Sequence, residues 1–481
     1  MNKRMIFTTL GKLTVCEAVL MIFPLIVALV YSEWLSALAF LIAIGIAIVI
    51  GLSLYLGFKT KNKVIFAREG FIIVAFSWLI MSAIGAVPFV INGDIPSYID
   101  AFFETVSGFT TTGATILRDV EILSHASLFW RSFTHWVGGM GVLVFIMAVL
   151  PSISDRSIHI MRAEMPGPIV GKIVPRARQT ARILYIIYFA MTVIETVLLL
   201  VGGMPLFDSI VHAFGTAGTG GFGIRNDSIA SYSPYLQWVI TIFMFLFGIN
   251  FNLFYLIIMK KAKSAFKSGE LWAYIAISGT AIAIICHNTY SMFNSFGDAF
   301  RTSAFQVASI ITTTGYSTVD FNLWPNLSKV VLLLLMFIGA CAGSTGGGFK
   351  VTRIVMLFKS IKQEIRRMIH PRSVTAVKFE GKVLDKVTLN GVSTYLALYL
   401  VALILVMLLI SFEPFNFETT FSAALSCFNN IGPGIGTVGP MGNYADYTGF
   451  SKIILSFAML FGRLEIYPLL IALTPSTWTK K

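Results

Sequence analysis

Charge is scarce in this chain, and what there is leans one way. Asp, Glu, Lys and Arg make up 12% of the residues while apolar residues reach 56%, against roughly 25% and 45–50% in soluble domains, and the mean hydropathy is +0.80. A soluble globular domain is excluded, and the chain reads as a polytopic membrane protein. Cysteine is nearly absent. Cys16, Cys286, Cys341 and Cys427 stand apart in apolar surroundings, without the spacing of a zinc site or the density of a disulfide framework. No HExxH, nucleophile elbow or clustered His/Asp pair occurs, so a membrane enzyme would lack its catalytic constellation. Nor is there an NAD or ATP fingerprint: the glycine-rich tract at 343–350 lacks phosphate-loop spacing and is embedded in apolar sequence. The net charge of +13 suits basic flanks of membrane spans and not a nucleic-acid surface, so no nucleic-acid partner is expected.

Long hydrophobic runs are what the chain has instead. The first two, at about 13–31 and 35–58, flank a short turn at Glu33 and Trp34. Each is near the roughly 20 residues that cross a bilayer, and together they make an N-terminal hairpin. No small-residue cleavage site separates them, so the first is read as a retained anchor. Lys59, Lys61, Lys63 and Arg68 return the chain to the side of Lys3, Arg4 and Lys12. Four units of one grammar follow: a long apolar run, a short run ending in a glycine-centred stretch, a second long run, and a basic loop or tail. Their expected bounds are 70–180, 181–268, 269–388 and 389–481, after the hairpin at 1–69. The basic loops at 156–182, 260–267, 350–386 and 480–481 hold most of the Lys and Arg. They and both termini are therefore placed in the cytoplasm. Successive cytoplasmic loops require an even number of crossings, yet each unit has three apolar runs. The short middle run, too short to span, is the re-entrant one.

The four glycine-centred stretches read Phe-Thr-Thr-Thr-Gly-Ala-Thr at 109–115, Thr-Ala-Gly-Thr-Gly-Gly-Phe at 216–222, Ile-Thr-Thr-Thr-Gly-Tyr-Ser at 311–317 and Phe-Asn-Asn-Ile-Gly-Pro-Gly at 428–434. Aligned on Gly113, Gly220, Gly315 and Gly432, they recur at intervals far longer than the about 20–50 residues of a solenoid. Four fused copies of one membrane unit fit that period. Pro96, Pro205 and Pro414 near three starts, and residues 294–298 near the other, mark short helices. Irregular backbone at membrane depth survives only where it is buried in protein or lines a cavity. Four helix C-terminal ends, each carrying up to about half a negative charge, make the centre of that cavity favour a cation. Main-chain carbonyls can replace a monovalent cation's water shell without the grip of carboxylates, and glycine lets the backbone present them at positive φ. The candidate cation-binding residues are Thr111, Thr112 and Gly113; Gly218, Thr219 and Gly220; Thr313, Thr314 and Gly315; and Asn430, Ile431 and Gly432.

The third unit's closing helix runs into a tract with five glycines at 339–348. Each costs about 1 kcal/mol of helix stability relative to alanine, so a break is expected, with a glycine-rich packing face as the alternative. Arg463 lies inside the last apolar run and should face the interior with a partner. It belongs either near the pore beside the 343–348 tract or in an internal pair with Glu465 or a carbonyl. Lys350 and Arg353 are read as marking the cytoplasmic end of that tract, His135 and Trp136 as helix packing, and His212 as a weak candidate for bonding the filter scaffold. The 41 phenylalanines suit lipid-facing surface. The basic stretch at 359–386 suits anionic membrane lipid or a cytosolic partner.

With these motifs the chain, from about residue 71 onward, resembles the superfamily of K+ transporters that includes bacterial Trk and Ktr membrane subunits, fungal Trk and plant HKT proteins. Matching stretches are 110–115, 217–222, 312–317, 429–434 and Gly-Arg-Leu-Glu-Ile at 462–466, and the extra hairpin resembles the TrkH type. The resemblance implies an all-α membrane protein with an N-terminal two-helix hairpin plus four M1–pore helix–M2 repeats, in a pseudo-fourfold arrangement around one ion pore of a bacterial inner (plasma) membrane. It implies K+ as the transported ion, no organic cofactor, and a gate made by Gly343, Ser344, Thr345, Gly346, Gly347 and Gly348 with Arg463. It also implies a homodimer on a peripheral TrkA-like ring of nucleotide-binding RCK domains. In plant relatives a serine at the first filter position accompanies Na+ transport; four glycines here favour K+. A carrier working by Na+ or H+ symport is the alternative. Such a carrier should show inverted repeats and clustered midplane carboxylates, whereas Glu17, Glu104, Glu195 and Glu465 are scattered one to a segment.

Overall fold

A computed structural model of the protein describes residues 1–60, 66–141, 177–372 and 376–479. Most of the basic loop expected at 156–182 lies outside them, as do Lys61, Lys63, Lys480 and Lys481. Helices α1 (Lys3–Leu20), α2 (Ile22–Val30) and α3 (Trp34–Gly57) form the N-terminal hairpin. α1 begins well before its apolar run because Asn2 caps it, accepting from the Met5 N–H at 3.1 Å. The arms touch at Gly11 and Gly51, where a Cβ on Gly11 would lie 2.6 Å from the Gly51 carbonyl oxygen. Small residues are what let membrane helices approach backbone to backbone.

The rest of the chain falls into four units, each with a long first span, a short helix and a further helical run, though the first span of the first unit is divided between α4 and α5. The first unit comprises α4 (Ala67–Gly85), α5 (Val87–Ile91), α6 (Tyr98–Phe109) and α7 (His125–Gly139). The second has α8 (Ala177–Val201), α9 (Leu206–Gly218), α10 (Pro234–Phe247) and α11 (Phe251–Ile258). The third has α12 (Gly269–Thr289), α13 (Phe296–Ile311), α14 (Asn326–Ile338) and α15 (Val351–Ile369). A small antiparallel hairpin follows, β1 (Lys378–Phe379) and β2 (Lys382–Val383), with Phe379 opposite Lys382. The fourth unit is α16 (Lys386–Ile410), α17 (Phe417–Asn429), α18 (Gly449–Arg463) and α19 (Tyr467–Leu473). Among the described residues six helices are long and apolar enough to cross a membrane. They are the two arms of the hairpin and the first helix of each unit.

The short helices α6, α9, α13 and α17 start where their caps dictate. Ser97, Ser295 and Asn416 accept the N–H groups of Asp100, Asp298 and Thr419, and Pro205 precedes α9. Each carries one acidic residue in its first turn, Asp100, Asp208, Asp298 or Glu418. That placement complements the helix dipole and leaves the opposite, C-terminal ends buried.

The second helices depart from the expectation of long runs broken only in the third unit. α10 and α11 meet at 91° across Gly248, Ile249 and Asn250, and α18 and α19 at 120° across 464–466. At the first break Asn250 caps the new helix by accepting from Asn252 N–H. At the second, Glu465 and Ile466 take φ of 58° and 63°, a conformation that no α-helix contains. α7 itself ends at Gly139, where the sequence runs Gly-Gly-Met-Gly. Phenylalanine is likewise not confined to the lipid-facing surface: Phe103, Phe109, Phe222, Phe305 and Phe428 are buried around the short helices and the stretches after them.

Replacing Gly11 with Val drives side-chain atoms into the backbone of α3. Overpacking of this kind costs about 1–3 kcal/mol, so the thermal midpoint of detergent-solubilised protein should fall. Gly45→Ala, on open space in the same hairpin, should not lower it, since alanine favours a helix interior over glycine by up to about 1 kcal/mol.

Candidate ion pathway

Each short helix ends in the same backbone turn. Thr111, Thr219, Thr313 and Asn430 have φ of 55°, 53°, 58° and 56°. Their N–H groups bond the carbonyls of Gly108, Thr216, Ile310 and Cys427, and the next N–H in each case reaches Ser107, Gly215, Ser309 or Ser426. Two residues after each left-handed position stands a glycine with positive φ: Gly113 at 78°, Gly221 at 79°, Gly315 at 87° and Gly432 at 97°. This register corrects the sequence alignment in the second unit. The counterpart of Gly113 is Gly221, Gly220 stands where the first unit has Thr112, and Gly218 is one step further back. Three glycines around Thr219 leave the sequence register ambiguous; the hydrogen-bonded left-handed residue decides it.

The four glycines close on one another. A Cβ on Gly113 would overlap the Gly220 carbonyl oxygen, one on Gly221 that of Thr314, and one on Gly315 that of Ile431. One on Gly432 would lie 2.7 Å from the Thr112 carbonyl oxygen, which returns the cycle to the first unit. The residues leading into them, Thr111, Thr112, Thr219, Thr313, Thr314, Asn430 and Ile431, are all buried. Of the sequence candidates only Gly218 stands off the cycle, pressed against the backbone of His135.

The side chains behind this cycle differ from unit to unit. Hydroxyl pairs Thr110–Thr112 and Thr312–Thr314 each close at 2.8 Å. In the fourth unit Asn430 donates to the Thr112 hydroxyl at 3.0 Å and to the Met459 carbonyl at 2.8 Å. In the second the space a threonine would need at 220 is filled by the His135 ring. His135 Nδ1 pairs with the Gly108 carbonyl at 2.8 Å, and Nε2 lies 3.3 Å from the Phe222 N–H. The carbonyl requires a proton on Nδ1, leaving Nε2 to accept. Read from sequence as helix packing, His135 instead joins the first and second units. His212 does not reach the cycle with its ring, which bonds the Asp208 carbonyl in its own helix at 2.7 Å.

Glu104 and Arg131 were not legible as a pair. They form a buried ion pair at 2.8 Å. Glu104 also accepts from the Thr115 hydroxyl at 2.9 Å and the Ile116 N–H at 3.0 Å. Arg131 donates to the Gly223 carbonyl at 3.2 Å and stands over the Phe222 ring at 4.1 Å. The stretches that follow Gly113 and Gly221 are thereby tied to one charge pair.

A vestibule of about 140 Å³, lined by Gly113, Gly221, Gly315 and Gly432 among others, opens on one side of the cycle. On the other side a cavity of about 40 Å³ is bounded by Gly343, Ser344, Gly346, Gly347, Gly348 and Arg463. Between them runs the chain from Gly339 to Lys350. This segment breaks the third unit's second helix, as expected, with φ of 72° at Gly339 and 84° at Lys350. It is pressed against the cycle from below: Gly347 N–H donates to the Thr313 hydroxyl at 2.6 Å, and a Cβ on Gly346 would sit 2.7 Å from the Thr312 carbonyl oxygen. The break between α10 and α11 holds it from the side. Cys341 N–H bonds the Gly248 carbonyl at 3.1 Å, Phe251 N–H the Gly343 carbonyl at 3.0 Å, and the Thr345 hydroxyl the Phe247 carbonyl at 3.2 Å.

Arg463 sits at the end of α18 and not in the middle of a span. It donates to the Thr345 carbonyl at 2.7 Å and to the Gly138 and Gly139 carbonyls at 2.5 and 2.6 Å. It therefore bridges the segment at 343–348 and the C-terminal end of α7, where a cation is favoured. The two sequence alternatives merge, since Arg463 is both beside the segment and bound to carbonyls. Glu465 pairs instead with Arg353 at 2.6 Å. Lys350, bonded to the Gly346 carbonyl, and Arg353 are both buried, so neither marks an exposed end of the segment.

A family model described as TrkH, cation transport protein, matches residues 36–271 and 268–480. The chain belongs to the TrkH family. It is similar to the Trk system potassium uptake protein TrkH of Salmonella typhimurium, 37% identical over 489 residues that cover 99% of this chain and 100% of that one. It is 37% identical over 485 residues to the protein of the same name from Escherichia coli K12, at 99% and 100% coverage. The Trk system potassium uptake protein TrkG of that organism is 35% identical over 461 residues, covering 95% of this chain and 94% of that one. The crystal structure of the potassium transporter TrkH from Vibrio parahaemolyticus superposes with a TM-score of 0.90 at 33% identity, over 100% of both chains. Membership in the TrkH family puts this helical, multi-pass chain among cation transporters and not among enzymes.

Glu104→Ala strands Arg131 in the interior, and loss of one partner of a buried pair costs about 3–5 kcal/mol. We expect a lower thermal midpoint for Glu104→Ala and for Arg131→Ala. The double change Glu104→Gln with Arg131→Met should cost less than either, as a thermal-unfolding cycle would measure.

Proposed function

We propose that this chain carries K+ into a bacterial cell through the cycle of four glycines, and that the segment at 343–348 gates it. One observation carries the reading. Four glycines at positive φ, each packed on the backbone of the next unit, close a cycle two residues beyond the turns that end four short helices. There, carbonyl oxygens replace the water shell of a dehydrating cation, and the partial negative charge of the helix ends offsets part of its desolvation. The family's relatives are named potassium uptake proteins, which supports K+ as the ion. The binding set is Thr111, Thr112 and Gly113; Thr219, Gly220 and Gly221; Thr313, Thr314 and Gly315; and Asn430, Ile431 and Gly432, in pseudo-fourfold arrangement. Gly221 replaces Gly218 in the list read from the sequence.

An ion entering the vestibule would shed water at this ring and then meet Gly346, Gly347 and Arg463. The segment blocks it sterically. The guanidinium adds an electrostatic barrier, since a second cation within about 8 Å is repelled by about 2 kcal/mol at an effective dielectric of 20. Opening requires the segment to withdraw toward the smaller cavity. We place the basic loops and both termini in the cytoplasm, which sets the vestibule outside and the gate inside. The basic helix α15 then faces the cytosol, where a TrkA-like nucleotide-binding ring and a second copy of this chain are the partners that the family resemblance supports. One observation favours H+-coupled uptake as a second reading: Glu17 is fully buried, with neither carboxylate oxygen hydrogen-bonded among the described residues.

Purified protein in liposomes should pass Rb+ and K+ in preference to Na+. Gly221→Ser should cut that preference about tenfold, equivalent to roughly 1.4 kcal/mol, while Gly223→Ala should not. Arg463→Ala should raise flux without changing selectivity. Absence of any monovalent cation flux, with or without the ring and nucleotide, would sink the channel reading. Acidification of the lumen in step with K+ entry would instead favour the coupled one.

A further inference from the structure

We propose that Glu270 is the positioning residue that holds the gating segment closed, and that Glu380, on the turn of the β1–β2 hairpin, sets the position of Glu270 from the cytoplasmic side. This rests on the reading of residues 343–348 as the gate.

Glu270 lies in the first turn of α12 and is 5% exposed. Its Oε1 accepts the Ala342 N–H at 2.6 Å and also the Thr352 hydroxyl. These donors flank the gate, Ala342 immediately before Gly343 and Thr352 in the first turn of α15. One carboxylate oxygen thus joins both flanks of a segment whose backbone is not helical and several of whose other N–H groups bond the ends of broken helices, as Cys341 does the Gly248 carbonyl and Lys350 the Ile338 carbonyl. An irregular buried N–H left without an acceptor costs about 1–3 kcal/mol, so the segment stays seated while Glu270 stays in reach.

What keeps Glu270 in reach comes from more than a hundred residues away. Glu380 directs a single carboxylate oxygen at the start of α12, accepting from the Ser268 hydroxyl at 3.0 Å, the Gly269 N–H at 2.9 Å and the Glu270 N–H at 3.3 Å. An anion at a helix N-terminus is favoured by the dipole and satisfies orphan donors. The turn that presents it takes φ of 49° at Glu380 and 74° at Gly381. Phe379 anchors that turn, buried against Met356 of α15 and Val392 of α16, and Lys359 of α15 donates to the Lys378 carbonyl at 2.9 Å. The hairpin therefore touches α12, α15 and α16 together, and it comes after the basic helix α15 in the chain, beyond residues 370–377. A pull on that helix or hairpin would lift Glu380 from α12, loosen Glu270, and release the gate at both flanks.

A cap and a buried carboxylate are commonly structural only, so the test needs a readout of the gate itself. Cys341 provides one: it lies just before Ala342 and is fully buried. In liposomes containing the full chain, Rb+ flux, K+ over Na+ preference and the rate of thiol-reagent modification at Cys341, read by peptide mass spectrometry, would be compared among the parent, Glu270→Gln and Glu380→Ala. Both variants should raise resting flux and Cys341 modification at least about fivefold, the low end of coupling between sites, with ion preference and thermal midpoint near the parent's. Should Glu270→Gln fail to reach the membrane, Glu380→Ala, an exposed change, carries the test alone. Unchanged flux and Cys341 reactivity in Glu380→Ala overturns the proposal. If Arg463→Ala raises flux in the same preparation, only this proposal has failed; if Arg463→Ala also changes nothing, the gate reading has failed with it.

Discussion

Backbone pressed directly against backbone is the constraint on which the rest of this structure depends. At Gly113, Gly221, Gly315 and Gly432 the next unit's chain occupies the volume of a side chain, so the four units cannot separate by even a methyl group without opening the cycle. Such an arrangement has no side chains of its own to hold it. It is held from behind, by hydroxyl pairs in the first and third units, an asparagine in the fourth and a histidine in the second. The asymmetry of that outer layer follows from filling four unequal spaces around one nearly equal backbone.

Charge is used sparingly, and among the described residues several charged contacts lie at the junctions between units. Glu104 and Arg131 join the first unit to the stretch after Gly221, Lys452 and Asp100 join the fourth to the first at 2.6 Å, and Arg353 and Glu465 join the third to the fourth. Arg463 ties the segment at 343–348 to α7. A bare charge in lipid is expensive; a charge shared between two units is offset by its partner and fixes their relation. The same economy recurs in Glu270, whose carboxylate serves two donors on either side of the segment.

The breaks in the second helices have a related logic. A continuous helix through the centre would leave no carbonyl or N–H free to bond across units. The interruption at 248–250 supplies the Phe247 and Gly248 carbonyls and the Phe251 N–H to the segment at 339–350, and the end of α7 supplies two carbonyls to Arg463. Irregular backbone in one unit thus satisfies irregular backbone in another, as the membrane interior demands.

Much of this was written along the chain. Hydropathy determined the hairpin and the four long helices that follow it, because burial in lipid demands long apolar runs whatever the neighbours are; prolines, Ser/Asn caps and first-turn acids determined where the short helices begin, because capping is satisfied within four residues. The glycines announced a break at 339–348 for the same local reason. The tertiary structure decided which of Gly220 and Gly221 joins the cycle, since adjacent glycines are equally permissive and only a neighbouring carbonyl distinguishes them. It also decided that His135 supports the second stretch, that Glu104 meets Arg131, and that Arg463 finds carbonyls while Glu465 finds Arg353. Each of these is a meeting of residues distant in sequence. Spacing along a chain carries no information about such meetings until packing has set the helices side by side.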